Sequence, residues 1–180
     1  PAALVGLKFE EGLIDGLLSD VLGEPAALPL LQFTLLKLWD HRQRNRVTWE
    51  AYRRLGGGRL ALARSADEFY NGLILEEQTT MKRILLQMVR PGEGVEVTSR
   101  RIPQSSLYWA GEASDRIDRV LDMLIFARFV RRTAGELPND TLVDVSHESL
   151  IRYCTRLVNW LEEERTTLRL RVRLTAAAAQ

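Results

Sequence analysis

Apolar residues recur at helical spacing through most of the first 72 residues, and this periodicity restricts the fold more than any other feature of the chain. Residues 7–22 carry them at intervals of three and four, as one buried face of a helix requires. Gly23-Glu24-Pro25 then breaks the pattern. A second apolar helix is expected to begin near Ala26, because Pro29 is tolerated only in a first turn, where backbone N–H groups have no intrahelical partner.

Two further signals extend the helical pattern to residue 72. Thr48 is a candidate N-cap for a short helix, because its side-chain oxygen can accept a hydrogen bond from a backbone N–H of the first turn. Gly56-Gly57-Gly58 is expected to end this helix. Apolar residues then resume helical spacing over residues 59–72. The sequence therefore predicts that the first 72 residues are all helical.

The pattern changes after residue 72, where short alternating segments appear between helices. The expected order is a helix (75–90), a short strand (95–98), two helices (104–110 and 115–124), a hairpin (127–132 with 141–145) and a long helix that begins at Ser146 (146–175). Helices on a small sheet with a hairpin wing are typical of a winged helix-turn-helix. The predicted fold class is mainly α, with a small antiparallel sheet and a long C-terminal helix.

Charge and composition weigh against several classes of protein. The formal net charge is +1, which gives no electrostatic case for nucleic-acid binding. A basic run over residues 165–173 directly follows three glutamates, so a solvated helix face is expected there. The single cysteine, Cys154, excludes an intrachain disulfide and favours the cytoplasm. No segment approaches 18 apolar residues, so no membrane span is expected.

The N-terminus of the chain and the missing motifs suggest a piece of a larger protein. The chain opens with Pro1-Ala2-Ala3, without an initiating methionine or the basic region of a signal peptide. No phosphate-binding loop is present, since Gly56-Gly57-Gly58 follows a helix and precedes Arg59. With two histidines and one cysteine, no ordinary tetrahedral metal site can be assembled, and no catalytic residue is predicted.

One junction could carry chemistry. Val143-Asp144-Val145 is expected to turn directly into a helix with Ser146 as its N-cap, which places His147 in the first helical turn. A helix N-terminus favours negative charge, and a histidine there could donate a ring N–H to a phosphate oxygen. From spacing alone, a histidine that simply packs at the junction explains the residue as well.

The residues at these breaks resemble a known family, the STAND class of P-loop signalling NTPases, and most closely the bacterial "novel STAND" group. The matching segments follow one another in the expected order over most of the chain: 23–33 (GEPAALPLLQF), 48–57 (TWEAYRRLGG), 62–67 (LARSAD), 86–94 (LQMVRPGEG) and 145–152 (VSHESLIR), continuing into Trp160-Leu161. One departure is Gly58-Arg59-Leu60, where the family pattern has a bulkier residue followed by Gly-Ala. The missing Walker motifs would belong upstream of residue 1.

The resemblance implies a helical lid subdomain over residues 1–72, a winged-helix subdomain over 73–150 and a C-terminal linker helix over 151–180. In such proteins a Gly-x-Pro element of the lid packs a proline against the adenine. Gly23 and Pro25 match that element, with Pro29 as the second choice for the proline. His147 matches the histidine that holds the β-phosphate of ADP in the closed state, with Ser146 and Glu148 beside it.

The resemblance also implies partners and a cofactor. ADP or ATP would bind in the full-length parent, with Mg²⁺ held by the missing P-loop domain, and this chain alone would bind no nucleotide tightly. The expected partners are that upstream P-loop domain and downstream sensor or effector domains, with homo-oligomers possible on activation, and with neither nucleic acid nor membrane.

Two other functions stay open at the level of sequence. Residues 115–124 could be the recognition helix of a DNA-binding winged helix, although Asp115, Asp118 and Asp122 would repel phosphates. The chain could also be a scaffold that binds another protein.

Overall fold

The computed structural model describes residues 2–24, 27–91, 97–135 and 140–178. They are mainly helical with a small three-stranded antiparallel sheet, so the predicted fold class is confirmed. The chain divides into two compact units, Pro1–Phe69 and Tyr70–Gln180. The subdomain limits at residues 72 and 150 stay a prediction.

The described part of the first unit contains a 3₁₀ helix, two short strands and four helices, the last of which continues past the unit's end. In chain order they are the 3₁₀ helix Ala2–Val5, β1 (Lys8–Phe9), α1 (Leu13–Val21), α2 (Ala27–Asp40), β2 (Arg46–Val47), α3 (Trp49–Leu55) and α4 (Gly57–Asn71).

The prediction of an all-helical first segment is wrong at β1 and β2, which pair in parallel. The backbone N–H of Lys8 donates to the carbonyl of Asn45 at 2.9 Å, and that of Glu10 donates to Val47 at 3.0 Å. Gly12 then adopts a left-handed conformation with φ of 72°. The interior of a right-handed helix does not include that conformation, so α1 begins at Leu13 rather than near residue 7.

Helix α2 begins where the sequence predicts, because Pro29 lies in its first turn. Its buried face consists of Leu30, Phe33, Thr34 and Leu38. Leu28 is 71% exposed, whereas Phe33 and Thr34 are buried. The hydroxyl of Thr34 donates to the carbonyl of Gly58 at 3.3 Å, which satisfies a polar group inside the unit.

The short helix α3 has the predicted cap and the predicted glycine break. The Thr48 hydroxyl accepts from the backbone N–H of Ala51 at 3.2 Å. Gly56 ends the helix with φ of 88°, and Gly57 opens α4 with φ of 78°. A non-glycine residue adopts such angles only at a cost, so the glycines allow the chain to turn between the two helices.

The turn into α4 is held by Asp20 and Tyr52. One carboxylate oxygen of Asp20 accepts from the Tyr52 hydroxyl and, at 3.1 Å, from the backbone N–H of Gly58. Burial and the hydrogen bond to Asp20 raise the pKa of Tyr52 to about 12. The hydroxyl therefore keeps its proton at neutral pH and serves as the donor to Asp20.

The second unit begins with the end of α4, and its described residues add four helices, a 3₁₀ helix and five strands. They are α5 (Leu75–Gln87), β3 (Val89–Pro91), β4 (Val97–Ser99), β5 (Ile102–Pro103), the 3₁₀ helix Gln104–Leu107, α6 (Ser114–Phe126), β6 (Val130–Ala134), β7 (Thr141–Val145), α7 (Glu148–Tyr153) and α8 (Thr155–Ala178).

Strand β7 has the predicted limits, whereas its hairpin partner, predicted at 127–132, is Val130–Ala134, because α6 continues to Phe126 and Arg128 then adopts a left-handed φ of 64°. The three-stranded sheet has the order β5-β7-β6, and both pairs are antiparallel. Strands β3 and β4 form a separate antiparallel pair. The strand predicted at 95–98 begins at Val97 in the described residues, because 95 and 96 lie outside them. The helix predicted at 104–110 is a single 3₁₀ turn.

The core of the second unit lies between its helices and one face of the sheet. Helix α5 contacts α6 and α8, α6 contacts β6, and α7 contacts α8 and β4. The side chains that fill this core are at most 3% exposed: Met81, Ile84, Leu85, Ile117, Val120, Leu121, Leu124, Phe129, Val130, Val143, Val145, Leu150, Ile151 and Leu157. No helix among the described residues has the length and apolarity needed to cross a bilayer.

Two glycine substitutions in the first unit should separate backbone strain from steric conflict. Gly57→Ala would place its Cβ 2.6 Å from a carboxylate oxygen of Asp20, whereas Gly23→Ala, at φ of 83°, would have no atom within 4 Å. We expect Gly23→Ala to lower the free energy of unfolding by about 1 kcal/mol through left-handed strain alone. Gly57→Ala should lower it by roughly 2–3 kcal/mol, because Asp20 must also move.

Urea unfolding at pH 7 followed by circular dichroism measures both losses. Equal losses for the two variants would contradict the role given to Asp20.

Candidate functional site

His147 lies between the last strand of the hairpin and a short helix. The backbone N–H of Ser146 still donates to the carbonyl of Phe129 at 2.9 Å, so Ser146 extends the hairpin and does not cap a helix. His147 is itself the N-cap, with extended angles of φ −140° and ψ 124°, and its carbonyl accepts from Leu150 at 3.0 Å. The prediction of Ser146 as the cap, with His147 in the first turn, is wrong by one residue.

The imidazole of His147 is half-buried, and its Nδ1 atom is buried. Burial lowers the pKa of His147 below its ordinary value, and the positive charge of Arg131 lowers it further. The ring is therefore neutral at pH 7, with one nitrogen that can donate and one that can accept. A neutral, partly exposed imidazole can still donate one hydrogen bond to a phosphate oxygen.

Asp144 is the buried charge that organises this junction. Its carboxylate is 7% exposed and accepts two hydrogen bonds from the Arg131 guanidinium, from Nε at 2.7 Å and from Nη2 at 2.9 Å. Arg131 and Asp144 are cross-strand partners in β6 and β7. Arg101 adds a third contact, with its Nε 3.6 Å from Oδ2. Such two-point pairing fixes geometry as well as charge.

The two arginines decide the charge state of Asp144. Burial alone would raise the pKa of this carboxyl, but hydrogen bonds from Arg131 and the charges of Arg131 and Arg101 outweigh burial and hold the pKa below its ordinary value. Asp144 is therefore ionised at neutral pH, and both arginine side chains remain about half exposed, at 53% and 51%. The exposed surface beside His147 thus carries guanidinium groups.

The helix that follows His147 is shorter than predicted. The expected long helix over 146–175 is broken at Cys154, whose ψ of 96° is not helical, so α7 has six residues and α8 begins at Thr155. A macrodipole grows with aligned peptide units, so a six-residue helix adds little to anion binding. The part of the prediction that relied on a long helix is wrong, and any contact to a phosphate would depend on the side chains.

The other predicted site residues lie in the first unit or outside the described residues. Gly23 follows α1 in a left-handed turn, with φ of 83° and open space where a Cβ would stand. Pro25 lies outside the described residues. Pro29, the second choice for the base-contacting proline, is half-buried in the first turn of α2. The roles of Gly23, Pro25 and His147 toward a nucleotide stay predictions.

Sequence reasoning singled out His147 but missed Arg101 and Arg131. The hairpin register could have revealed Arg131, because it places an arginine directly opposite the aspartate of Val143-Asp144-Val145. Arg101 gives no comparable signal, since it lies outside the strands.

Neither a metal site nor a DNA-reading helix is supported by the described residues. They contain no group of three histidine, cysteine or acidic side chains that could hold a metal ion. On α6, Arg119 is paired with Glu77 at 3.1 Å, and Asp122 is paired with Arg132 at 2.8 Å. Ion pairs within the protein occupy these charges, which disfavours phosphate contacts from this helix.

Comparison with known proteins assigns the chain to a class of signalling NTPases. The family model described as Novel STAND NTPase 1 matches residues 1–180, and the chain belongs to this family. Searches of curated proteins and of solved structures gave no match.

Asp144→Asn should destabilise the chain at pH 7 by about 1–2 kcal/mol, since charge-assisted hydrogen bonds to half-exposed arginines are lost. Because the folded-state pKa of Asp144 is lowered, this stabilisation is complete above the ordinary value of 3.8 and is lost as pH falls through the folded value. Urea unfolding of variant and wild type at several pH values measures it.

Asp122→Asn is the matched control, because this carboxylate also pairs with a strand β6 arginine but is 62% exposed. It should change the free energy of unfolding by less than about 0.5 kcal/mol. A loss as large as that of Asp144→Asn would contradict the importance of burial.

The pKa of His147 can be measured directly, because the chain has only two histidines. In a His41→Asn variant, NMR titration of the remaining imidazole should give a pKa below 6.5. The unfolded chain then binds this proton at higher pH than the folded chain, so stability falls as pH drops below 6.5. A value at or above 6.5 would contradict the burial and the neighbouring charge described for this ring.

Proposed function

We propose that the chain is the regulatory lid and winged-helix portion of a STAND signalling ATPase, which senses ADP against ATP and controls a closed-to-open switch. The observation that carries this proposal is the family match over all 180 residues. The element order of the second unit supports the winged-helix part, since helices pack on a three-stranded sheet whose β6–β7 hairpin would be the wing.

In this proposal His147 donates a hydrogen bond to the β-phosphate of ADP in the closed state. The neutral imidazole at the end of the hairpin has the required donor, and Arg131 and Asp144 hold the strand that carries it. Exchange of ADP for ATP would remove or rearrange this contact. The nucleotide shifts the switch only through its different affinity for the two states.

Other parts of the parent would supply the chemistry of hydrolysis. We propose that an upstream P-loop domain holds the phosphates and Mg²⁺, so this chain is not an enzyme by itself and binds no nucleotide tightly. Gly23 and Pro25 would contact the base. Downstream sensor or effector domains of the same cytoplasmic protein would receive the movement, with homo-oligomers as one form of the open state.

The test uses the full-length protein that carries the P-loop domain, loaded with a fluorescent ADP analogue. His147→Ala should speed release of the analogue by about 10- to 100-fold, the equivalent of one hydrogen bond to a charged phosphate. His147→Gln, whose amide can also donate, should restore part of the slow release. Stopped-flow fluorescence with excess unlabelled ADP measures the rates.

His41→Ala is the matched control, because it removes the other imidazole, which is exposed and bonded to the Lys37 carbonyl at 2.8 Å. It should leave release unchanged. If His147→Ala released the analogue at the wild-type rate while remaining folded, the proposed phosphate contact would be wrong.

A further inference from the structure

An open recess lies in the first unit at the turn between α2 and β2. Arg42, Arg44 and Asn45 line it, and its volume is about 440 Å³. That volume falls in the range of sites that bind small molecules. All three lining side chains are polar, and two of them carry guanidinium groups, so the recess suits a hydrophilic anion and not an apolar ligand.

The turn that forms the recess is tightly constrained. Gln43 and Arg46 exchange two backbone hydrogen bonds of 2.9 Å, so the loop between them has only two residues. Both are left-handed, Arg44 with φ of 46° and Asn45 with φ of 62°. Asparagine and glycine suit such a turn, whereas arginine is strained in it. Backbone strain clusters at ligand-binding positions, so the left-handed φ of Arg44 at the rim of a recess makes it a candidate for one.

The guanidinium of Arg42 is held in place before any ligand arrives. Its Nη1 donates to the carbonyl of Trp39 at 2.6 Å, and its Cζ lies 3.9 Å from the centroid of the Trp39 ring. Stacking on an aromatic face leaves the edge of the guanidinium available to other acceptors. Asn45 is fixed as well, because its side-chain amide donates to the Val5 carbonyl at 3.0 Å.

The segment that contains the recess is basic, although the net charge of the chain is only +1. Lys37 and Arg46 add to Arg42 and Arg44, and Asp40 is the one carboxylate within residues 37–46. Among the described residues, no carboxylate forms an ion pair with Arg42 or Arg44. The two guanidinium groups therefore lack the internal partner that Arg131 has.

We propose that this recess is a binding site for the phosphate group of a small anion, either inorganic phosphate or a phosphate ester. Two guanidinium groups offer paired N–H donors in the geometry that phosphate oxygens accept. Arg42 supplies a fixed donor and Arg44 a second donor from the strained turn. The site lies in the first unit and does not use His147, so it is independent of the nucleotide contact proposed above.

The test uses the 180-residue chain and isothermal titration with inorganic phosphate, pyrophosphate, AMP and sodium sulfate at constant ionic strength. We expect saturable binding of the phosphate compounds with a dissociation constant of about 1 mM or lower. Preference for AMP over inorganic phosphate would identify an ester as the ligand, and the reverse would identify the free ion. Equal binding of sulfate would reduce the site to general anion attraction and overturn the proposal.

Single substitutions identify the arginines that bind phosphate. Arg42→Gln should weaken it at least about tenfold, whereas Arg53→Gln, which removes the same charge from an exposed position on α3, should change it less than about twofold. Arg44→Gly removes the second guanidinium but suits the positive φ, so it should lose binding while the melting temperature stays equal or rises. This variant separates lost binding from lost folding.

Besides equal binding of sulfate, two further results would overturn the proposal. One is the absence of saturable binding at about ten times the expected dissociation constant. The other is unchanged binding in Arg42→Gln and Arg44→Gly. His147→Ala should leave phosphate binding intact, so failure of this site and failure of the nucleotide switch can be told apart.

Discussion

The buried carboxylate of Asp144 fixes the hairpin on which the sheet of the second unit is built. A charge inside a protein is tolerated only when partners replace the lost water, and Arg131 does this through two hydrogen bonds across the hairpin. The requirement fixes the register of β6 against β7, because a shift by one residue would turn these side chains to opposite faces. Burial lowers the pKa of the His147 imidazole, and the charge of Arg131 lowers it further. The arginine that holds the hairpin in register therefore also contributes to keeping this imidazole neutral.

Much of the helical framework can be predicted from local signals. Pro29 marked the beginning of α2, Thr48 capped α3, and the glycines after Leu55 separated α3 from α4, because each acts through its own backbone or its nearest neighbours. Alternation of Val143-Asp144-Val145 likewise gave the limits of β7. These predictions needed no knowledge of tertiary contacts.

The features that the sequence did not predict depend on residues far apart in the chain. The β1–β2 pair joins Phe9 to Val47, and two-residue strands are too short for any periodic pattern. The candidate site also depends on residues far apart in the chain, since Arg101 and Asp144 come together only when the sheet is formed. His147 was misplaced by one residue because the hairpin hydrogen bond of Ser146 postpones the helix, a competition that local propensity does not reveal.

The interruption at Cys154 alters how movement could pass along the C-terminal part of the chain. One continuous helix would act as a stiff lever, and a rotation of its distal end would turn His147 by the same angle. Here the backbone leaves the helical conformation at Cys154, so α7 and α8 are two separate helices joined at a single residue. Their coupling depends on the backbone hydrogen bonds on either side of Cys154 and on the packing of α7 against α8, where Leu150 and Leu157 are both buried. A movement of α8 would therefore reach His147 only as far as this packed junction transmits it.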